Sequence, residues 1–123
     1  MIVGSVNVYG EAVVRLRLAG PEGQAQDVEA VVDTGFNGSL TLPPSIIAAL
    51  GLPFRRSGRA LLADGREALF DVHEAFVDWE GQSRRVAVDA AETDPLLGMA
   101  LLRGCELKVQ VVPGGGVFIS PLP

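Results

Sequence analysis

At 123 residues the chain suffices for one domain, residues 1–123, with a core of its own, and it is too short for two half-sites in tandem, so a two-lobed single-chain enzyme is excluded. Its 48% apolar and 20% charged content describes an ordinary globular chain, and no apolar run, the one around Ser45 to Leu52 included, approaches the roughly 18 residues that cross a bilayer. A formal charge of −5 without any Lys or Arg stripe argues against nucleic acid, because phosphate binding needs concentrated positive charge.

Valine-rich segments broken at short intervals by Gly, Pro and Asp predict an all-β domain, a small closed barrel or sandwich with one or two short helices. The N-terminus, Met1-Ile2-Val3-Gly4-Ser5-Val6, has no basic region, apolar core and small-residue cleavage site in succession, so a cytoplasmic protein is expected. From Val13 to Leu18, Val14, Leu16 and Leu18 alternate with Val13, Arg15 and Arg17, the period of a half-buried strand. Ala19-Gly20-Pro21-Glu22-Gly23 turns that strand into a second one, Asp27 to Val32. Ser39 to Leu42 reads as a short strand, and Pro43-Pro44-Ser45 opens a helix through Leu50 that Gly51 closes. Arg59 to Ala63 and Arg66 to Phe70 flank Asp64-Gly65, a dipeptide suited to a two-residue type I′ turn, so a protruding hairpin is expected there. Asp71 to Trp79 and Ser83 to Ala90 form a further pair around Glu80-Gly81-Gln82, with a polar loop through Pro95. Met99 to Arg103 reads as a second short helix ended by Gly104, and Glu106 to Val112 with Val117 to Ser120 as a last hairpin around Gly114-Gly115-Gly116.

Chemistry concentrates in Ala30-Val31-Val32-Asp33-Thr34-Gly35-Phe36-Asn37-Gly38, where an apolar strand runs straight into Asp-Thr-Gly. A carboxylate, a small hydroxyl and a glycine at the mouth of a buried strand are the parts of an aspartic peptidase half-site. The glycine lets two such loops approach closely while the strand anchors each one. One chain holds one loop, so a two-carboxylate site requires a homodimer. Taken alone, the triplet reads first as an Asp-capped turn, a very common use of Asp before Gly. Single Cys105 has no internal disulfide partner and cannot build a Cys-based zinc site, which suits a core or interface residue in a reducing compartment. His73 lies in an alternating strand with no second His or Cys to share a metal, so no metal or other cofactor is expected. Arg55-Arg56 and Arg84-Arg85 read as solvated strand ends, and Asn37-Gly38 as a turn.

In this order the parts resemble the retropepsin-like aspartic peptidases, above all prokaryotic single-domain members whose motif reads Asp-Thr-Gly-Phe: Val31-Val32-Asp33-Thr34-Gly35, a flap-like hairpin on Asp64-Gly65, Leu96-Leu97-Gly98, then a short helix and terminal strands. The resemblance implies a retropepsin-like barrel carrying one half-site per chain and an endopeptidase acting on peptide or protein substrates as a homodimer. Asp33 would be the catalytic acid, Thr34 and Gly35 the supports of its loop, and Leu96, Leu97 and Gly98 the packing behind it. The Asp64-Gly65 hairpin would close over the substrate, with Phe36 and Leu62 near apolar pockets, and no metal, membrane or nucleic acid takes part. Retroviral enzymes have a small residue after the motif and an arginine after the second glycine; this chain has Phe36 and Met99-Ala100 there, and it ends in a Gly-rich hairpin rather than one short interface strand. A dimeric β-domain that binds peptides or assembles without cleaving anything is the alternative, since fold does not establish chemistry.

Overall fold

A computed structural model describes all residues, Met1–Pro123. Ten strands and two helices follow one another as β1 (Ile2–Val6), β2 (Ala12–Ala19), β3 (Ala25–Val32), β4 (Leu40–Leu42), α1 (Pro44–Leu50), β5 (Phe54–Leu61), β6 (Glu67–Trp79), β7 (Gln82–Ala90), β8 (Leu96–Leu97), α2 (Met99–Leu102), β9 (Cys105–Val109) and β10 (Gly116–Pro121). The strands form one sheet in the order β5-β6-β7-β4-β8-β3-β2-β1-β10-β9. A further pairing of β6 with β2, through Leu18 to Val77 and Ala19 to Phe76, closes six of them into a barrel. Closure removes the free edges from β2, β3, β8, β4, β7 and β6, leaving β5 and β9 as the outer strands.

Alternation decides what fills the barrel. Val14, Leu16 and Leu18 of β2 point inward and are buried, while Arg15 and Arg17 face out and pair with Glu29 and Asp27 across the β2–β3 ladder. Val28 and Ala30, Leu40 and Leu42, Ala75 and Val77, and Val86 and Val88 supply the same inner layer from the other strands. Helix α1 adds Ile47 and Leu50 to this core; Pro44 supplies the preset φ of its first turn, and Gly51 ends it in the left-handed region at φ 61°.

Several elements differ from the sequence reading. β1 pairs with β10 through Ile2 to Ile119 and with β2, a strand that alternation over five residues leaves unmarked. The two strands read as Arg66 to Phe70 and Asp71 to Trp79 are one 13-residue strand, β6, shared between β5 and β7. The Asp64-Gly65 turn is not type I′, because only Gly65 takes positive φ, at 87°. Gly65 N–H donates to the Leu62 carbonyl at 2.9 Å, and Leu62 N–H donates to Arg66 O at 2.7 Å, so the loop holds three residues, with Gly65 as the left-handed bulge. Asp64 serves that form by accepting the Arg66 N–H at 3.0 Å and holding its guanidinium at 2.6 Å. The two-residue loop lies instead at Glu80-Gly81, between the paired Trp79 and Gln82, with φ of 54° and 80°. The register of β6 with β7 imposes that conformation on a glutamate.

Candidate active site

Asp33 follows directly on β3, whose Val31 and Val32 pair in parallel with Leu96 and Leu97 of β8. Its N–H donates to the Leu97 carbonyl at 2.8 Å, extending that ladder by one residue and fixing the backbone of the acid to the barrel. The chain then turns sharply. Phe36 N–H donates to Asp33 O at 3.1 Å, and Asp33 Oδ1 accepts the Gly35 N–H at 2.9 Å, which orients the carboxylate. Asp33 is half-buried, whereas Thr34 and Gly35 are exposed.

Residues 36–39 clasp the segment from β8 to α2. Met99 N–H donates to Phe36 O at 2.8 Å, Ala100 N–H to Gly38 O at 3.1 Å, and Gly98 N–H to Ser39 O at 2.9 Å. Gly98 is buried, and a Cβ there would fall 2.2 Å from Gly38 O, 2.5 Å from Phe36 Cδ2 and 2.8 Å from Phe36 O. The absence of a side chain at 98 is therefore what allows the loop to lie directly on the strand. The Phe36 ring fills the space so left, lying also against Gly38. Leu97 is fully buried behind the loop and Leu96 half-buried.

The structure thus brings Asp33, Thr34, Gly35, Phe36, Leu96, Leu97 and Gly98 into one hydrogen-bonded unit. Leu62, Asp64 and Gly65 sit apart, at the exposed tip of the β5–β6 hairpin, where the Asp64 bonds are internal to the turn. Beside Thr34 a concavity of about 430 Å³ is lined by Met99, Leu102, Cys105 and Leu107 with Arg103 and Gly104. Cys105 is a half-buried free thiol packed against the core. His73 Nδ1 lies 3.0 Å from the Leu52 carbonyl, with its ring edge-on to Phe54, and nowhere do three His, Cys, Asp or Glu side chains gather as metal ligands. No helix is long and apolar enough to cross a membrane.

Of the paired arginines, Arg55 and Arg85 hold Glu74 at 3.0 and 3.6 Å, and the hydrogen bond from Arg55 is the main reason its carboxyl titrates below the ordinary glutamate value. Arg84 and Arg85 lie 5.9 Å over the Trp79 and Phe76 rings. Asp89, which no sequence motif marks, behaves in the opposite way: partial burial raises its titration point, and the charge of Arg56 only partly opposes this. The one local signal was an acid in an otherwise Val- and Ala-rich strand.

Neither a protein-family model nor a curated protein matches the sequence. Among solved structures, the chain is similar to a retropepsin-like aspartic protease from Rickettsia conorii, with a TM-score of 0.57 and 16% identity over 97% of this chain and 90% of that one. The chain has a retropepsin-like fold. The likeness runs almost end to end along the chain.

Proposed function

We propose that the protein is an aspartic endopeptidase whose active site forms when two copies bring their Asp33 carboxylates face to face. The observation that carries this reading is the Asp33 carboxylate itself. It is anchored through Leu97 O and Gly35 N–H, half-buried, and set beside an exposed Thr34 in a retropepsin-like fold. Two such carboxylates repel in a partly desolvated site, so the pair holds one proton. The ionised member takes a proton from a water held between them as that water attacks the scissile carbonyl. The protonated member donates to the carbonyl oxygen as the tetrahedral intermediate forms. Thr34 hydrogen-bonds across the twofold axis and steadies both loops, and Gly35 lets the substrate backbone pass close by. The β5–β6 hairpin closes over an extended peptide, adding strand-like hydrogen bonds and excluding water. Within a cytoplasmic, reducing setting Cys105 stays a thiol.

Cleavage of a diverse peptide mixture from acidic to neutral pH, by the parent and by Asp33→Asn at matched dimer concentration, tests the reading. Cuts by the parent alone support it. Equal cutting by both defeats the mechanism, and no cutting by either, with both folded and dimeric, favours a peptide-binding or assembly module. Dilution adds an independent check, since specific activity of a shared site falls as the dimer dissociates.

A further inference from the structure

The barrel face turned away from the core carries a continuous row of side chains in register. Val31 on β3 pairs with Leu96, Leu96 with Thr41, Thr41 with Asp89, Asp89 with Val72, and Val72 with Arg56 on β5. Residues directly opposite in a ladder share a face, so all six belong to one surface. It starts two residues before Asp33 and ends at the root of the hairpin. Gly58, with the Phe70 ring lying over it, Ala60 and Ala68 continue the same face toward the hairpin tip.

An outer sheet face is ordinarily wet, and the middle of this one is covered by the chain itself. Val72 is 2% exposed, although it is the only buried aliphatic residue outside the core cluster, and Thr41 is 6% exposed as the only buried polar residue. Between these two residues the chain places a half-buried carboxylate without a counter-ion. Asp89 takes part in none of the seven ion pairs, while its diagonal neighbour Glu74 is occupied by Arg55 and Arg85. Arg56, the cation of the row, lies beyond Val72 and within no ion-pair distance of it. Burial accordingly disfavours the charged form of Asp89. A half-buried, unpaired carboxylate is unfavourable to the isolated chain and favourable to a ligand that brings the missing cation.

Resting on the peptidase reading above, we infer that Asp89 selects a basic side chain, Lys or Arg, in an extended peptide lying along this face. The aliphatic stem of such a residue passes over half-buried Leu96 while its charged head reaches Asp89 beside the Thr41 hydroxyl. Three strand spacings separate Val31 from Asp89, roughly 14 Å, and an extended peptide advances about 3.4 Å per residue, so the selected residue lies within roughly four positions of the cut.

The test uses labelled peptides of one sequence that differ at a single position, carrying Arg, Gln or Glu there in turn, with that position moved stepwise along the sequence. Binding to Asp33→Asn is measured by anisotropy, and cleavage by the parent is followed in parallel. At one position the Arg peptide binds about tenfold tighter than the Gln peptide. That ratio falls to near one when Asp89→Asn is added, and it rises with Arg56→Gln, which removes the competing cation without touching Asp89. A ratio unchanged by Asp89→Asn, or no peptide binding at all, overturns the inference. Cleavage that ignores charge at every position overturns it as well but leaves the peptidase reading standing. Charge-dependent binding lost with Asp89→Asn, without cleavage by the parent, upholds the Asp89 site and defeats the peptidase.

Discussion

Substituting Gly98 with alanine tests the clasp that holds the Asp33 loop. Gly98 has φ −106° and ψ 179°, an extended conformation open to any residue, so the cost arises from packing rather than from backbone strain. The added methyl would lie 2.2 Å from Gly38 O and 2.8 Å from Phe36 O, both backbone atoms, and relief requires the 36–38 segment to retreat by about 1 Å from β8. The same retreat lengthens the Met99 N–H to Phe36 O and Ala100 N–H to Gly38 O bonds, now 2.8 and 3.1 Å, past useful range. Overpacking costs about 2 kcal/mol and each lost hydrogen bond about 1 kcal/mol, so Gly98→Ala destabilises by about 4 kcal/mol. Urea unfolding followed by tryptophan fluorescence reads this directly, because Trp79 is 5% exposed in the core. Gly10→Ala is the control, since its Cβ meets nothing within 4 Å and only its φ of 81° opposes the change. It should cost about 1 kcal/mol. A loss below about 1 kcal/mol at Gly98, with the slope of unfolding unchanged, refutes the packing argument.

Glu80→Asn should stabilise the fold by about 0.5 kcal/mol in thermal unfolding, because asparagine tolerates the φ of 54° better than glutamate does; the exposed bond of Glu80 to the N-terminus at 2.6 Å offsets part of the gain. Glu74→Gln should lower Tm at neutral pH. The folded titration point of Glu74 is depressed, so its contribution is present above the ordinary value of 4.5 and is lost as pH falls through the folded value, and the two melting curves converge in acid. Met99→Asp should leave the monomer folded, since Met99 is 46% exposed and an acid suits the first turn of α2, yet weaken self-association by placing charge in the apolar concavity beside Thr34. Sedimentation equilibrium checks this, and an unchanged dimer would show that the second copy docks elsewhere.

Local chemistry was legible in the sequence wherever it decides structure by itself. Alternation of Val14, Leu16 and Leu18 against Arg15 and Arg17 specifies which face of β2 is buried, and Pro44 with Gly51 brackets α1. The Asp33 loop was legible for the same reason: an apolar strand, an acid and a glycine stand next to one another. Turn types were less so. Asp64-Gly65 carries the stronger hairpin signal, but the Asp64 carboxylate captures the Arg66 amide in a longer loop, whereas the β6–β7 register forces the tight turn onto Glu80. β1 escaped notice because its partner, β10, lies at the far end of the chain. The surroundings of Asp89 were invisible for a deeper reason: its neighbours are set by the pairings of six strands, and no window along the sequence contains them.

These placements share one geometric cause. Because β8 lies between β3 and β4, parallel to one and antiparallel to the other, the residues leaving β3 at Asp33 must cross over β8 before β4 can begin at Leu40. The crossing loop is bonded to β8 and α2 by the three amides of Gly98, Met99 and Ala100, and this commits its inner side wholly to the barrel. Its Thr34 side is exposed, next to the concavity that Met99, Leu102 and Leu107 line. On the proposed reading, that exposed side is where a second carboxylate would meet Asp33. Barrel closure thus fixes the acid's backbone while its loop keeps one exposed side. A sequence that kept the clasp through Gly98 and Phe36 but no second copy would hold an oriented carboxylate with nothing to oppose it.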